Sequence, residues 1–272
     1  MRSESQRPLD AITSDVVSAA TSGDAAALDR ILRALSGPFY NLALRMLQNH
    51  QDAEDATQEC LIRVTTKLST FRAESRFSTW AWTVASRAVL DYRNGLARRP
   101  GIGAEAFSLD LADGLDLTAR ADSPEDRVLA SRVKLGCGRA MLQVLDGDHR
   151  LAYVMVDILE LDQAEAAEAV GVAPATFRKR LSRARARMRE VLHRNCGIVA
   201  PRNPCRCAGR VRRADQLGRL DAKDAAEIDL IQLQARIHAL DEMAADAAYY
   251  RADPMATPSE RVLPRLRNLF GD

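Results

Sequence analysis

LDQAEAAEAVGVAPATFRKRLSRARARM, residues 161–188, is the stretch on which the fold turns. Leu161 to Val170 reads as a short helix. Gly171 then supplies a residue that tolerates a left-handed turn, and Pro174 stands where the first turn of a helix accepts proline. In the helix that follows, Phe177, Leu181, Ala184 and Met188 recur at spacings of four, three and four, so one face is apolar and packs inward. Thr176, Arg178, Lys179, Arg180, Arg183, Arg185 and Arg187 take the opposite faces. Two helices joined this way form a helix-turn-helix, whose second helix lies in a DNA major groove with its N-terminal side chains at base edges. Arginine pairs bidentately with guanine and with phosphate, which suits this face to DNA. The plain alternative is a solvated Arg-rich face, against which turn glycine, proline position and apolar stripe agree. The motif alone fits a repressor or a response regulator equally well.

The surroundings are helical too. The chain has 272 residues, room for two or three compact units, and only 5% aromatic residues. Ala, Leu and Arg dominate, a composition for amphipathic helices rather than sheets, so the expected fold class is all-α. No stretch approaches the roughly 18 apolar residues of a membrane span, and the polar start has no signal-like core; the expectation is a cytoplasmic protein without a membrane partner. Net charge is only +2, but it is segregated. Arg178 to Arg189 holds seven basic residues and no acid, Asp52 to Glu59 four acids and no base, and Ala104 to Asp126 seven acids against one Arg.

Apolar spacings of three and four outline the organisation. Residues 1–23 form an N-terminal tail and the start of a helix. Residues 24–97 make a first helical domain, with a break expected at Gly37-Pro38, a helix from Asp52 to Leu68, and another from Ser78 to Asn94 capped by Ser78 or Thr79. Residues 98–126, opened by Arg98-Arg99-Pro100-Gly101, have the composition of a flexible acidic linker. Residues 127–194 make a second helical domain around the helix-turn-helix. Residues 195–272 are an extension: irregular from Cys196 to Cys207, then one long helix from Asp221 to Tyr250 with Leu230, Leu233, Ile237, Leu240 and Ala244 on a stripe.

Three stretches in order separate the readings of the helix-turn-helix. They are Asp52-Ala53-Glu54-Asp55-Ala56-Thr57-Gln58-Glu59; Phe71-Arg72, Phe77-Ser78-Thr79-Trp80 and Asp91-Tyr92-Arg93; and Ala175 to Arg185. Together, over roughly Asp24 to His193, they resemble extracytoplasmic-function sigma factors of the sigma-70 class. The resemblance implies a non-enzymatic subunit that brings RNA polymerase to promoters and helps open them. It implies that Asp52, Asp55, Gln58 and Glu59 bind the β′ clamp helices of core polymerase, that Phe71, Arg87 and Arg93 meet the minus-10 element, and that Thr176, Arg178, Lys179, Arg180 and Arg183 read the minus-35 element. The β flap is a further polymerase contact, promoter DNA a partner, and an anti-sigma factor an admissible one; no cofactor is required.

The residues are also readable without the family. Asp55, Gln58 and Glu59 share a helix face and present acceptors to a basic partner; a solvated face is the alternative, and a hydrolytic metal site lacks the paired His or second acidic cluster it needs. Phe71 serves either as a stacking platform for an extruded base, a device that must offset a few kcal/mol of unstacking, or as a cap on the core. Trp80 reads as core. Arg87 stands where the family often has asparagine, and Lys179 where it often has a small residue, so the resemblance carries over the mode of action but not the family's promoter sequence. The acidic linker either threads polymerase channels or is a passive tether.

The extension carries His193, Cys196, Cys205 and Cys207, ligand types suited to zinc at a spacing that is not a standard finger. Metal binding, thiol redox sensing and plain structural cysteines all remain open. Cys-rich tails of some sigma factors respond to metal, and this one is similar in placement. Cys60 and Cys137 read as buried apolar residues. The extension is expected to be a built-in regulator that masks a DNA or polymerase surface.

Overall fold

The computed structural model describes residues 7–96, 103–224 and 228–264. Among these every regular element is helical: α1 (Arg7–Asp10), α2 (Ser14–Thr21), α3 (Ala25–Leu47), α4 (His50–Lys67), α5 (Phe77–Gly95), α6 (Ala104–Ala112), α7 (Pro124–Leu142), α8 (Gly147–Tyr153), α9 (Gln163–Val170), α10 (Pro174–Asn195), α11 (Cys207–Gln216), α12 (Leu230–His238) and α13 (Glu242–Arg251). The all-α expectation holds. Among the described residues no helix is long and apolar enough to cross a membrane.

Two compact units emerge, and they cut across the segments read from sequence. The first gathers residues 7–96, 151–181 and 255–264; the second gathers residues 103–150, 182–224 and 228–254.

In the first unit α3 runs unbroken through Gly37-Pro38, contrary to the expected break. Ile31, Leu35, Phe39, Leu42 and Met46 form one fully buried stripe across that point. Their burial outweighs the roughly 3 kcal/mol an internal proline costs. Asp24 caps the helix, its carboxylate accepting from the N–H groups of Ala26 and Ala27 at 2.9 and 3.1 Å. Asp24→Ala should lower stability by about 1 kcal/mol, which thermal melting reads as a fall of about 2–4 °C for a chain of this size. Helix α4 starts at His50 because Asn49 accepts from the Asp52 N–H at 2.9 Å. Helix α5 seats the fully buried Trp82 edge-on against Phe39, ring centroids 5.5 Å apart.

Helix α5 begins at Phe77 with Arg76 at the cap position, so neither Ser78 nor Thr79 caps it. Both hydroxyls donate instead to Glu165 Oε1 on α9, at 2.9 and 3.2 Å, and Ser86 Oγ donates to the Ala169 carbonyl at 3.1 Å. Small buried residues on α5 let α9 lie against it.

In the second unit the acidic stretch is no free linker from Gly103 onward; Arg98 to Ile102 lie outside the described residues. Helix α6 buries Phe107 and Leu111, and α7 is opened by a reciprocal capping box between Ser123 and Asp126. The acids of the stretch find bases in the extension. Arg219 holds Asp110 at 2.7 Å, Arg213 holds the Asp113 carboxylate, and the Asp116 N–H donates to Gly209 O at 3.0 Å.

The long helix expected from Asp221 to Tyr250 is two helices, α12 and α13, and Ala225 to Glu227 lie outside the described residues. Asp229 and Asp241 explain the division, each accepting hydrogen bonds from the first turn of the helix it caps. Leu233 and Ile237 of the stripe are buried, whereas Leu240, at the division, is exposed.

Candidate nucleic-acid interface

The helix-turn-helix has the geometry its residues dictate. The Asp162 carboxylate caps α9 through the Ala164 N–H at 2.7 Å, and Gly171 ends it in the left-handed region at φ 74°. Any side chain at Gly171 would be strained there, and its Cβ would lie 3.5 Å from Arg87 Nη2. Phe177, Leu181, Ala184 and Met188 are all buried, as their spacing requires. That burial fixes the rotation of α10 and leaves Thr176, Arg178, Lys179 and Arg183 exposed, with Arg180 half-buried. Among the described residues no ion pair occupies Arg178, Lys179 or Arg183, whereas Arg187 is held by Glu190 at 2.6 Å.

On α4, Asp52, Asp55, Gln58 and Glu59 all lie partly exposed along one side. Glu59 accepts from Arg63 at 2.7 Å, and Arg63 donates also to Asp91 of α5 at 2.6 Å. These bonds, Asp91 first, keep the Arg63 guanidinium protonated beyond its ordinary range. Burial, then the carboxylates of Asp55 and Asp52, raise the Tyr92 hydroxyl above its usual value, which places the α4 acids beside the Asp91-Tyr92-Arg93 turn.

Phe71 follows a short 3-10 turn, Leu68–Thr70, and is half-buried. Its ring meets Phe77 edge-on at 5.6 Å and Trp80 at 5.7 Å, and Phe77 and Trp80 are themselves 5.7 Å apart. Trp80 is thus a partly exposed member of an aromatic trio, while Trp82 is the core tryptophan. Arg87 is exposed on α5, and Arg93 is half-buried at its end.

The proposed zinc set is not gathered in one place. His193 Nε2 lies 3.2 Å from Asp246 Oδ1, which also takes Arg189 at 3.2 Å. Desolvation first holds the Asp246 carboxyl above its ordinary value, with Arg189 and His193 acting the other way. Among the described residues no three His, Cys, Asp or Glu side chains stand close enough to hold a metal ion. The thiols of Cys196, Cys205 and Cys207 do share a neighbourhood, and its fourth member is Cys137 of α7. A lone cysteine in a helical pattern carries no mark of this, which is why Cys137 reads from sequence only as a buried apolar residue. Nothing local marks Glu165 or Ser86 as contact residues either, and Ser78 reads only as a cap; the Arg-rich run of α11, by contrast, could have been matched to the acidic stretch by charge alone.

Residues 31–99 match the family model for sigma-70 region 2, and residues 137–188 that for sigma-70, region 4. The chain is 31% identical over 197 residues to the ECF RNA polymerase sigma factor SigE of Mycolicibacterium smegmatis, covering 71% of this chain and 73% of that protein. It is 27% identical to SigW of Bacillus subtilis, covering 62% and 91%. Among solved structures, CnrH in complex with the cytosolic domain of CnrY aligns at a TM-score of 0.49 and 21% identity, covering 66% of this chain and 96% of that one. With both conserved regions matched in order and a relative of this identity and coverage, the chain belongs to the extracytoplasmic-function sigma factors of the sigma-70 class, DNA-binding subunits of RNA polymerase that act in transcription initiation and are not enzymes.

Proposed function

We propose that the three surfaces divide promoter recognition between them. Asp52, Asp55, Gln58 and Glu59 of α4 bind the β′ clamp helices of core polymerase through acceptors on one face. Phe71, Arg87 and Arg93 meet the minus-10 element, the aromatic trio around Phe71 offering a stacking platform for an unpaired base. Thr176, Arg178, Lys179, Arg180 and Arg183 read the minus-35 element from the major groove. The observation that carries this reading is the exposure of Arg178, Lys179 and Arg183 on the first turns of α10, with no ion pair to any of them among the described residues, shortly after the left-handed Gly171.

Run-off transcription with purified core polymerase and promoter fragments tests it. Polymerase-dependent, promoter-specific transcripts are expected. Tight duplex binding by the chain alone, with no polymerase complex, would instead make α10 an ordinary operator reader and deprive the α4 face of its role.

Distance adds a requirement. The two promoter elements are about 25 base pairs apart by their names, roughly 85 Å at about 3.4 Å per pair. With α9 lying on α5, one compact unit cannot reach both, so the α5–α9 contact must open during initiation. Each hydroxyl bond to the Glu165 carboxylate contributes of order 1 kcal/mol net at this half-buried site. With both bonds lost, Glu165→Ala should therefore speed hydrogen exchange of the protected α9 amides roughly 30-fold in the free chain. Unchanged exchange would show that these bonds do not hold the contact closed.

The extension acts as the regulator. It supports that role by holding the acidic stretch through Asp110–Arg219 and Asp113–Arg213, which withholds those acids from polymerase until the ion pairs part.

A further inference from the structure

Helix α3 carries a cleft that the far end of the chain covers. At Gly37-Pro38 the helix surface is low, because Gly37 has no side chain, and Pro38 offers no N–H to the Ala34 carbonyl one turn earlier. Residues 255–263 lie over this point, and with Ala34, Gly37, Pro38 and Asn41 they enclose a cleft of about 450 Å³. The segment has no regular structure from Pro254 to Ser259 and then turns, the Val262 N–H donating to the Ser259 carbonyl at 3.2 Å.

Asn41 holds the segment by its main chain. The Asn41 side chain is fully buried; its Nδ2 donates to the Ala256 carbonyl at 2.7 Å, and its Oδ1 accepts from the Ala256 N–H at 3.0 Å. One amide thus does for Ala256 what a neighbouring strand does for a paired residue. Nδ2 also donates to the Gly37 carbonyl at 2.9 Å, and Arg45 Nη1 donates to Oδ1 at 2.9 Å, so the amide cannot turn over without losing both. A contact made through backbone groups needs no particular side chain at Ala256, and it leaves no mark in the sequence.

Chain continuity turns this contact into a constraint. Helix α10 is one helix from Pro174 to Asn195, so its first turns move with α9. Its last turns hold α13, whose Asp246 carboxylate takes Arg189 and His193, each at 3.2 Å. Helix α13 ends at Arg251, and from there to Ala256 the chain spans at most about 18 Å when fully extended. The promoter reading has α9 leave α5 so that region 4 can cover roughly 85 Å. With Ala256 clamped, the end of α13 has about a fifth of that distance. Either residues 255–263 leave α3, or α13 leaves α10.

The attachment to α3 is the weaker of the two. Of residues 255–264 only Val262 is buried, and Ser259 Oγ, shut off from solvent, has no hydrogen-bond partner among the described residues. Helix α13 buries Tyr249, Tyr250 and Asp246, and the buried Lys134 ammonium donates to the Tyr249 carbonyl at 2.6 Å.

We propose that residues 255–263 are a releasable latch: docked on α3 through Asn41, they keep residues 151–181 against region 2, and they let go before region 4 reaches a minus-35 element. The last step rests on the promoter reading; the latch itself acts in the free chain.

Ala256→Pro removes the N–H that Asn41 Oδ1 accepts, and Val262→Asp puts a charge where the segment is buried. Both positions lie outside the promoter-binding and polymerase-binding faces. In the full chain each change should strip residues 255–263 of hydrogen-exchange protection and speed exchange of the α9 amides roughly fivefold or more, the factor for one lost hydrogen bond. Run-off transcription from a promoter with both elements should rise in step, with affinity for core polymerase unchanged. Unaltered α9 exchange in both variants, with residues 255–263 unprotected, would make the segment a passive tail and overturn the latch. In the unaltered chain bound to polymerase and promoter, residues 255–263 should exchange freely; protection retained there overturns it too. No transcript from any form, with α9 exchange still quickened, would leave the latch standing and remove the promoter reading instead.

Discussion

Arg178→Ala/Arg183→Ala should reduce promoter-specific transcription by between about 30-fold and about 10⁴-fold while leaving the complex with core polymerase intact. Each arginine is exposed, and among the described residues no ion pair holds it, so the chain should melt as before. An arginine bidentate to a guanine or gripping a phosphate contributes about 1–3 kcal/mol, and two such losses multiply to that range. The salt dependence separates the two roles. If one of them holds a phosphate, the slope of log affinity against log salt falls by about one for that residue, uniformly across sequences. If one reads a base, specificity at that position relaxes instead. Transcription at the original level from the double variant would remove α10 from promoter recognition altogether.

The second large effect is on stability. Lys134 is fully buried on α7, its ammonium donating to the Tyr249 carbonyl at 2.6 Å and paired with Asp253, while the nitrogen sits 4.3 Å from the centre of the Tyr249 ring. Lys134→Met keeps the volume but leaves the Asp253 carboxylate, itself largely buried, without that counter-charge. Breaking a buried pair from one side costs about 3–5 kcal/mol, a fall of roughly 10 °C in the melting transition that reports this unit. Adding Asp253→Leu should recover most of the loss, because an apolar pair of similar size replaces buried charges at little cost. A loss of under about 1 kcal/mol in Lys134→Met, by denaturant melts, would show that Lys134 is solvated in solution.

Both predictions depend on burial, and the two were unequally legible. The α10 face follows from local rules: a stripe at spacings of four, three and four fixes which arginines point outward, and Gly171 and Pro174 fix where the helix starts. The Asp52 to Glu59 face is legible for the same reason, since charges that recur on one side of a helix stay together whatever the helix packs against. Lys134 is the opposite case. In sequence it is one more lysine on a polar helix, and nothing local announces a carbonyl from residue 249 and a carboxylate from residue 253.

Where the reading failed, a nonlocal contact outweighed a local preference. Gly37-Pro38 is a sound break on propensity, but five buried residues carry α3 through it. The acidic stretch has the composition of a linker, yet Arg213 and Arg219, a hundred residues on, give its acids partners and let Phe107 and Leu111 bury. Ser78 and Thr79 are good caps, but a carboxylate from α9 takes their hydroxyls.

The sequence by itself therefore determined an all-helical chain, the position of its helix-turn-helix, the acidic and basic faces and the order of motifs that mark the family, because each of these is written in residues within one or two helical turns of each other. Only the tertiary structure decided that α9 lies on α5, that the extension holds the acidic stretch, and that Cys137 of α7 comes within electrostatic reach of the thiols of the extension. Those depend on which surfaces meet after about a hundred residues of intervening chain, and the packing energy that selects among such meetings is a property of the assembled core, not of any window of sequence.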